Sequence, residues 1–198
     1  LLPKFASIGP LSIQRSALEC AIQTDCGPIR FYSLHLTHLS AETRMPQVSS
    51  LLRLHREAQM EGAPVCGDAN GSYWHDGVAK APPPDAAILL GDFNFQPDSR
   101  EYVEMVGPLS PYGGRVTHPL GFVDAWTMAD GEDDTGYTAD VEGAPARLDY
   151  AFVSASLCDR IRACWVDRDA DGSDHQPLWL GMWAESDPRD TFQGLITF

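Results

Sequence analysis

Five apolar residues at positions 86–90, Ala-Ala-Ile-Leu-Leu, run directly into the turn Gly91-Asp92-Phe93-Asn94. A short apolar run that ends at a glycine predicts a buried strand followed by a turn. Side chains alternate along an extended turn, so Asp92 and Asn94 are expected on the same side, with Phe93 pointing into the core. The chain is therefore expected to contain a buried sheet whose strand end presents an acid and an amide together.

The polar residues of this turn have functional groups that can take part in catalysis or ligand binding, although the same residues also occur in ordinary turns. A carboxylate can hold a metal or orient a water, and an amide can donate to a phosphate oxygen. Asp and Asn also fill ordinary turns, because they hydrogen-bond their own backbone. Three distant segments favour the functional interpretation: residues 172–178 (Gly-Ser-Asp-His-Gln-Pro-Leu), residues 147–150 (Arg-Leu-Asp-Tyr) and His35-Leu36.

These segments, in this order, resemble the endonuclease/exonuclease/phosphatase superfamily, the deoxyribonuclease I-like metal-dependent phosphodiesterases. The matching segments are residues 14–18, 33–36, 90–94, 122–126, 147–154 and 173–175, with Arg44 and Gln47 in a helix between them. The resemblance implies an α/β (α+β) fold, a four-layer α/β/β/α sandwich of two mixed sheets. It also implies a single domain over residues 1–198, with a C-terminal tail at residues 184–198.

The front of the chain departs from the family pattern. Family members begin with a strand that bears an Asn, followed by a Gln-Glu pair whose Glu is a principal metal ligand, and neither motif is found here. The chain opens at Leu1 without a Met, so we interpret it as roughly the C-terminal two-thirds of the domain. We expect such a fragment to be inactive and poorly stable, because the strands at residues 29–36 and 86–90 would lack part of their cover.

Composition is consistent with one enzyme domain and limits its partners. The 198 residues are 43% hydrophobic, which is enough for a sizeable core, and no apolar run reaches the roughly 18 residues of a membrane span. Five cysteines without paired metal spacing favour buried thiols in a reducing, cytoplasmic setting. The net charge of −14 disfavours tight, sequence-independent nucleic-acid binding, while nucleotides, lipid headgroups and transient DNA contact stay open as substrates.

Hydrophobic periodicity predicts alternating strands and helices. Strands are expected at residues 16–24, 29–36, 150–154, 162–166 and 178–183. In the first of them, Leu18, Cys20 and Ile22 are expected on the covered face. A helix is expected to begin after Thr43 as N-cap, because Pro46 fits only in a first turn, and to end at Gly62. Residues 67–85 are expected to form a long loop.

A second, shorter helix is expected after the Asn94 turn. Residues 98–101, Asp-Ser-Arg-Glu, match a capping box. Tyr102, Val103, Met105 and Val106 are expected to face the core before Gly107 ends the helix.

The chemistry of phosphodiester cleavage suggests roles for the C-terminal site residues. The attacking water must lose a proton, and His175 is the best candidate base because a histidine titrates near neutrality. Such a base needs an orienting carboxylate, and the family resemblance implies Asp149 in that role. Asp174, adjacent in sequence but facing elsewhere, is then expected to bind the metal.

The resemblance implies the remaining roles as well. Asp92 would orient the water or help to deprotonate it, and Asn94 would donate to the phosphate and contribute to the metal site. His35, at a strand end, would contact the phosphoryl group. Oxygen ligands suit a hard cation, so the expected cofactor is Mg²⁺ or Mn²⁺. Asp124 and Arg147 are expected to be structural, as a cap and as the partner of a nearby acid.

Two alternatives to a phosphodiesterase of the nuclease type stay open. One is a phosphomonoesterase that acts on inositol or nucleotide phosphates. The other is a catalytically inactive relative that binds a phosphorylated partner. One fold hosts many activities, so fold analogy does not choose among them.

Overall fold

A computed structural model describes the protein at residues 1–4, 14–61, 83–129, 135–184 and 192–197. The elements in chain order are β1 (Ala17–Thr24), β2 (Gly27–His35), α1 (Ala41–Glu61), β3 (Ala87–Asp92), α2 (Arg100–Val106), β4 (Phe122–Asp124), α3 (Ala125–Met128), β5 (Ala139–Val141), β6 (Ala144–Ala146), β7 (Asp149–Ser154), β8 (Ile161–Val166), β9 (Leu178–Trp183) and β10 (Phe192–Thr197). The predicted α/β class is confirmed. The expected helix end at Gly62 and most of the expected loop at residues 67–85 lie outside the described residues.

The larger sheet has five strands in the order β1-β2-β3-β7-β4. Strands β2 and β3 are parallel and the other neighbours are antiparallel, so the sheet is mixed, as expected. The parallel pair is joined by a crossover that contains α1. As a result, the C-terminal ends of β2 and β3 lie at the same sheet edge as the beginning of β7.

A smaller sheet has the order β10-β9-β8 and is antiparallel throughout its described strands. Its strand β10 falls within residues 184–198, the segment expected to be a tail. Strands β5 and β6 form a separate two-stranded hairpin just before β7.

The larger sheet carries a hydrophobic core on each face. On one face, Leu34 and Leu89 pack in a cluster with Leu51 of α1 and Met105 of α2. On the other face, residues of β2, β3 and β7 pack against the smaller sheet, with Leu180 of β9 in the same cluster. The described layers are therefore helices, large sheet and small sheet, which correspond to three of the four layers expected.

Strand β1 departs from its predicted burial. Leu18 and Ile22 are 70% and 47% exposed, because β1 is at the edge of the sheet formed by the described strands and the cluster between the two sheets does not extend to it. In contrast, Ile29 and Ile88 are 1% and 0% exposed. The expectation that the strands around residues 29–36 and 86–90 lack cover is therefore wrong, and the uncovered apolar face belongs to β1.

Helix α1 begins earlier than predicted. The carbonyl of Ser40 accepts hydrogen bonds from the N–H groups of Thr43 and Arg44 at 3.2 and 3.0 Å, and the Thr43 hydroxyl accepts from the N–H of Ser40 at 3.2 Å. Thr43 thus lies inside the first turn and is not the N-cap, and Pro46 is accommodated within the helix. None of the described helices is both long enough and apolar enough to span a bilayer.

Helix α2 is capped by a different residue from the one predicted. Ser99 is the N-cap, and its hydroxyl accepts from the N–H of Tyr102 at 3.1 Å. Glu101 does not complete a capping box, because it is buried and pairs with Arg44 of α1 at 2.8 Å. Val103 is 38% exposed, so its predicted place in the core is also wrong, whereas Tyr102, Met105 and Val106 are buried as predicted.

Candidate active site

Three polar side chains are aligned by strand register at one edge of the larger sheet. His35 is the last residue of β2 and lies beside Asp92, the last residue of β3. Asp92 in turn lies opposite Asp149, the first residue of β7. Hydrogen-bonded neighbours in a sheet are about 5 Å apart, so two carboxylates and an imidazole share one small area.

Gly91 allows the strands to approach each other closely at this edge. Its φ is +133°, and a Cβ atom built there would lie 1.9 Å from the carbonyl oxygen of Leu34 on β2. No other residue type fits this position without moving β2. The next side chain inward, Phe93, is fully buried as predicted, and its N–H donates to the carbonyl of Leu148 at 2.9 Å.

Asp92 is the best-connected carboxylate of the site. Its Oδ1 accepts from the backbone N–H of Asn94 at 2.8 Å, and its Oδ2 accepts from Asn94 Nδ2 at 3.0 Å. His35 Nε2 lies 3.2 Å from the same Oδ2. Burial raises the pKa of Asp92, and the nearby charge of Asp149 adds to that effect, although the Asn94 N–H opposes it.

Asn94 completes the turn in a left-handed conformation, with φ of +53°. Its side-chain amide donates to Asp92 and to the carbonyl of Leu36, at 3.0 and 3.1 Å. Both Nδ2 hydrogens are therefore engaged within the protein, which leaves Oδ1 as the atom that can meet a ligand.

His175 and Asp149 form a short hydrogen-bonded pair. The distance between His175 Nδ1 and Asp149 Oδ2 is 2.7 Å. Burial alone would lower the pKa of His175, but the hydrogen bond to Asp149 and the negative charges of Asp149, Asp92 and Asp174 outweigh it, so the pKa is raised. In His35 burial dominates, and its pKa is lowered despite the neighbouring Asp92.

Asp174 lies next to this pair on an exposed loop, where Ser173 Oγ donates to it at 3.3 Å. Asp174 and Asn94 Oδ1 offer the oxygen donors that Mg²⁺ and Mn²⁺ prefer. Within the described ranges, however, no group of three or more His, Cys, Asp or Glu side chains could hold a metal ion. The described residues therefore do not form a complete metal centre by themselves.

Asp124 and Arg147 have the structural roles predicted for them. Asp124 caps α3 by accepting from the N–H of Trp126 at 3.1 Å. The same carboxylate pairs with Arg147 at 2.6 Å and accepts from the Tyr102 hydroxyl at 2.7 Å. Both charged side chains are almost fully buried, and the ion pair lies two residues before Asp149, where it stabilises the start of this segment.

Sequence reasoning missed Thr138, which is fully buried beside the site. Its hydroxyl accepts from the backbone N–H groups of Leu148 and Asp149 at 3.2 and 3.1 Å. A lone threonine ten residues upstream of Leu148 carries no motif, and only the folding of the β5–β6 hairpin brings it there.

A cleft of about 450 Å³ opens on the Asp174 side of the site. Tyr137, Asp140, Arg168 and Gln176 are among the residues that line it together with Asp174. It offers an aromatic ring, both signs of charge and an amide to any group that extends from the site.

Comparison with known families decides the classification. The profile of the Endonuclease/Exonuclease/phosphatase family matches residues 28–175, which is most of the chain and includes His35, Asp92, Asn94, Asp149, Asp174 and His175. The chain belongs to this family. The resemblance inferred from the sequence is thereby confirmed.

Solved structures from the endonuclease/exonuclease/phosphatase family share the fold. A family protein from Leptotrichia buccalis C-1013-b has a TM-score of 0.51 and 20% identity over 84% of this chain and 52% of that chain. One from Bacteroides vulgatus has a TM-score of 0.55 and 18% identity over 86% of this chain and 56% of that chain. The chain thus spans about half the length of the solved structures it matches. No match was found among curated proteins.

The family is named after enzymes of one reaction class. Endonucleases, exonucleases and phosphatases all hydrolyse phosphate esters. The His175–Asp149 pair and the Asp92 cluster, which consists of His35, Asp92 and Asn94, lie within the matched residues.

Proposed function

We propose that this chain carries the catalytic edge of a divalent-metal-dependent phosphodiesterase of the nuclease type, with His175 as general base. The observation that carries the proposal is the 2.7 Å contact between His175 Nδ1 and Asp149 Oδ2 beside the Asp92 cluster. A base and its orienting carboxylate next to a second carboxylate is the arrangement that water activation at phosphorus needs.

The Asp149 contact defines what each nitrogen of His175 does. When Nδ1–H donates to Asp149, the tautomer of the neutral ring leaves Nε2 as the acceptor. Nε2 then takes the proton of the attacking water, and Asp149 stabilises the imidazolium that forms. The raised pKa of His175 is consistent with this stabilisation of the charged ring.

The Asp92 cluster provides the second half of the site. Asp92, held by Asn94 and His35, orients the water or helps to remove its proton. The lowered pKa of His35 favours the neutral ring, which has a single N–H. Because Nε2 faces Asp92 at 3.2 Å, donation by His35 to the phosphoryl group requires that this contact is given up. Donation by Asn94 to the phosphate requires exchange of one of its present hydrogen bonds, to Asp92 or to Leu36.

The metal proposed for the site is Mg²⁺ or Mn²⁺. Asp174 and Asn94 Oδ1 would supply part of its coordination, since the described residues include no group of three or more His, Cys, Asp or Glu side chains that could hold a metal ion. When bound, such a cation neutralises charge on the phosphoryl oxygens. A phosphate ester in a nucleic acid, a nucleotide or a lipid headgroup is the proposed substrate, and the net charge of −14 argues for short or transient contact with nucleic acid.

The test is hydrolysis of bis(4-nitrophenyl) phosphate and 4-nitrophenyl phosphate, with Mg²⁺ or Mn²⁺ and with EDTA. It uses the 198-residue chain and any longer product of the same reading frame, because the described residues lack a complete metal centre. We expect metal-dependent cleavage of the diester by the longer product, abolished by EDTA, and none by the 198-residue chain.

Each other outcome changes the proposal in a defined way. Preference for the monoester supports the phosphomonoesterase alternative, and undiminished cleavage in EDTA rules out metal dependence. Tight binding of a phosphorylated ligand without turnover by any form identifies a non-catalytic relative.

A further inference from the structure

Thr138 connects three segments that carry site residues. It is 0% exposed, and its hydroxyl accepts two hydrogen bonds, from the backbone N–H groups of Leu148 and Asp149. A buried hydroxyl that satisfies two backbone donors at once is costly to remove, because both N–H groups would then be left without an acceptor. The first of the three segments is therefore the one at Leu148 and Asp149, where β7 begins.

The backbone of Thr138 holds the second segment, which contains His175. Its carbonyl accepts from the N–H of Gln176 at 2.7 Å, and Ala139 forms an isolated antiparallel bridge with His175. Its own N–H donates to the carbonyl of Ala146 at 3.0 Å, so Thr138 is also anchored to the β5–β6 hairpin. Thr138 thus contacts the loop of His175 through its main chain and the beginning of β7, at Asp149, through its side chain.

The third segment is reached through Leu148. Its N–H donates to the Thr138 hydroxyl, and its carbonyl accepts from the N–H of Phe93 at 2.9 Å. Phe93 lies between Asp92 and Asn94, so Leu148 links Thr138 to the turn that carries the Asp92 cluster. The link consists of two hydrogen bonds, one at the N–H of Leu148 and one at its carbonyl.

We propose that Thr138 is a positioning residue that holds Asp149 and His175 at hydrogen-bonding distance and in register with the Asp92 turn. The inference rests on the proposed function only for its catalytic consequence, because the positioning itself is a property of the folded chain. The 2.7 Å contact between His175 and Asp149 joins two separate segments, the loop that ends at His175 and the beginning of β7, and a small relative shift of either segment would lengthen it.

Threonine suits this task for two reasons. Its Oγ1 has two lone pairs, which match the two N–H donors. Its β-branch restricts χ1 and thus holds the oxygen in one direction. Serine keeps the acceptor and loses the branch, whereas valine keeps the shape and loses the acceptor, so the two replacements separate the two contributions.

The experiment compares Thr138→Val and Thr138→Ser with the wild-type chain, and uses Thr117→Val as the matched control. Thr117 is a partly buried threonine whose hydroxyl donates to the carbonyl of Val106, away from the site. The first measurement is the downfield proton resonance of the His175 Nδ1–H that is bonded to Asp149. The second is hydrogen exchange at the amides of Leu148 and Asp149.

In Thr138→Val we expect the His175 Nδ1–H resonance to broaden or disappear. Hydrogen exchange at the amides of Leu148 and Asp149 should become faster by about tenfold or more, as expected when at least one hydrogen bond is lost. Thr138→Ser should retain the resonance and much of the protection, and Thr117→Val should change neither. If Thr138→Val leaves the resonance and both amides as in the wild type, or if Thr117→Val has the same local effect, the proposal is overturned.

Activity is measured separately, so the two hypotheses fail independently. In a form that cleaves the diester, Thr138→Val should lower kcat by about tenfold to a hundredfold with little change in KM, and Thr138→Ser should recover most of the loss. A wild-type protein without phosphate ester hydrolysis refutes the proposed function, while the resonance and the exchange rates still decide the role of Thr138. An active Thr138→Val variant with unchanged kcat refutes the positioning role.

Discussion

The buried histidine His55 makes stability depend on pH in a way that can be calculated. His55 lies on α1 and is 6% exposed, with its ring centroid 4.5 Å from that of Phe122. Its Nδ1 lies 2.9 Å from Nη2 of the buried Arg30, so a neutral imidazole can accept there and a protonated one cannot. Burial, reinforced by the charge of Arg30, lowers the pKa of His55 to about 4.

The sign of the effect follows from the two protonation states. In the unfolded chain His55 titrates near its ordinary value of 6.5, whereas in the folded chain it stays neutral down to about 4. Between these values the unfolded chain binds a proton that the folded chain does not, so the free energy of unfolding decreases as the pH falls. The shift from 6.5 to about 4 corresponds to about 3 kcal/mol in total, of which about 2 kcal/mol is lost between about pH 7.5 and pH 5.

The assay is urea denaturation of the wild-type chain and of His55→Gln at both pH values. The glutamine amide oxygen can still accept from Arg30 but does not titrate, so the variant should lose about 2 kcal/mol less than the wild type over this interval. Repeating the series at about 1 M salt should preserve the difference, because its main cause is burial and not a screened surface charge. Equal pH dependence in the two proteins would refute the reasoning.

Further predictions concern the site and the strand that leads to it. In a form that hydrolyses phosphate esters, His175→Ala should lower kcat by about a hundredfold or more. His118 lies in an exposed turn, so His118→Ala should have almost no effect. Equal losses of kcat on the same substrate would contradict the assignment of His175 as the base. Because the pKa of His175 is raised and the base must be neutral, kcat/KM should increase with pH through a value above 6.5, and in Asp149→Asn that value should fall. Gly91→Ala should destabilise the protein by several kcal/mol in urea denaturation, because the added Cβ would lie 1.9 Å from the Leu34 carbonyl oxygen; a near-neutral substitution would show that β2 moves easily at this point.

Local pattern and side-chain chemistry were enough to predict the polar strand ends. The apolar run at residues 86–90 and the glycine after it predicted β3 and its turn, because burial of a short apolar segment and the period of an extended chain are local properties. The same reasoning placed Phe93 in the core and identified Asp124 as a cap and Arg147 as the partner of an acid. The order of the motifs along the chain identified the family, which the family profile confirmed.

The first residues of the helices and the exposed face of β1 depend on tertiary contacts, which the local sequence pattern does not predict. Thr43 has the chemistry of a cap, yet α1 begins earlier, since the carbonyl of Ser40 accepts from the N–H groups of Thr43 and Arg44. Ser99 caps α2, and Glu101 does not complete a capping box because it pairs with Arg44 of the other helix. Strand β1 has the alternation of a half-buried strand, but Leu18 is exposed because β1 lies at the sheet edge, beyond the cluster between the two sheets. Such outcomes depend on which elements become neighbours.

The sequence by itself determined which side chains have the chemistry proposed for the site, and the tertiary structure decided how they meet. His35, Asp92 and Asp149 share one edge because β2 and β3 are parallel while β7 is antiparallel, and strand register then aligns them. The role of Thr138 was not predicted from the sequence, because its two hydrogen bonds are made with residues ten and eleven positions away, beyond a hairpin. Residue type sets what a side chain can donate or accept, whereas the distance between His175 and Asp149 is a property of the folded chain alone.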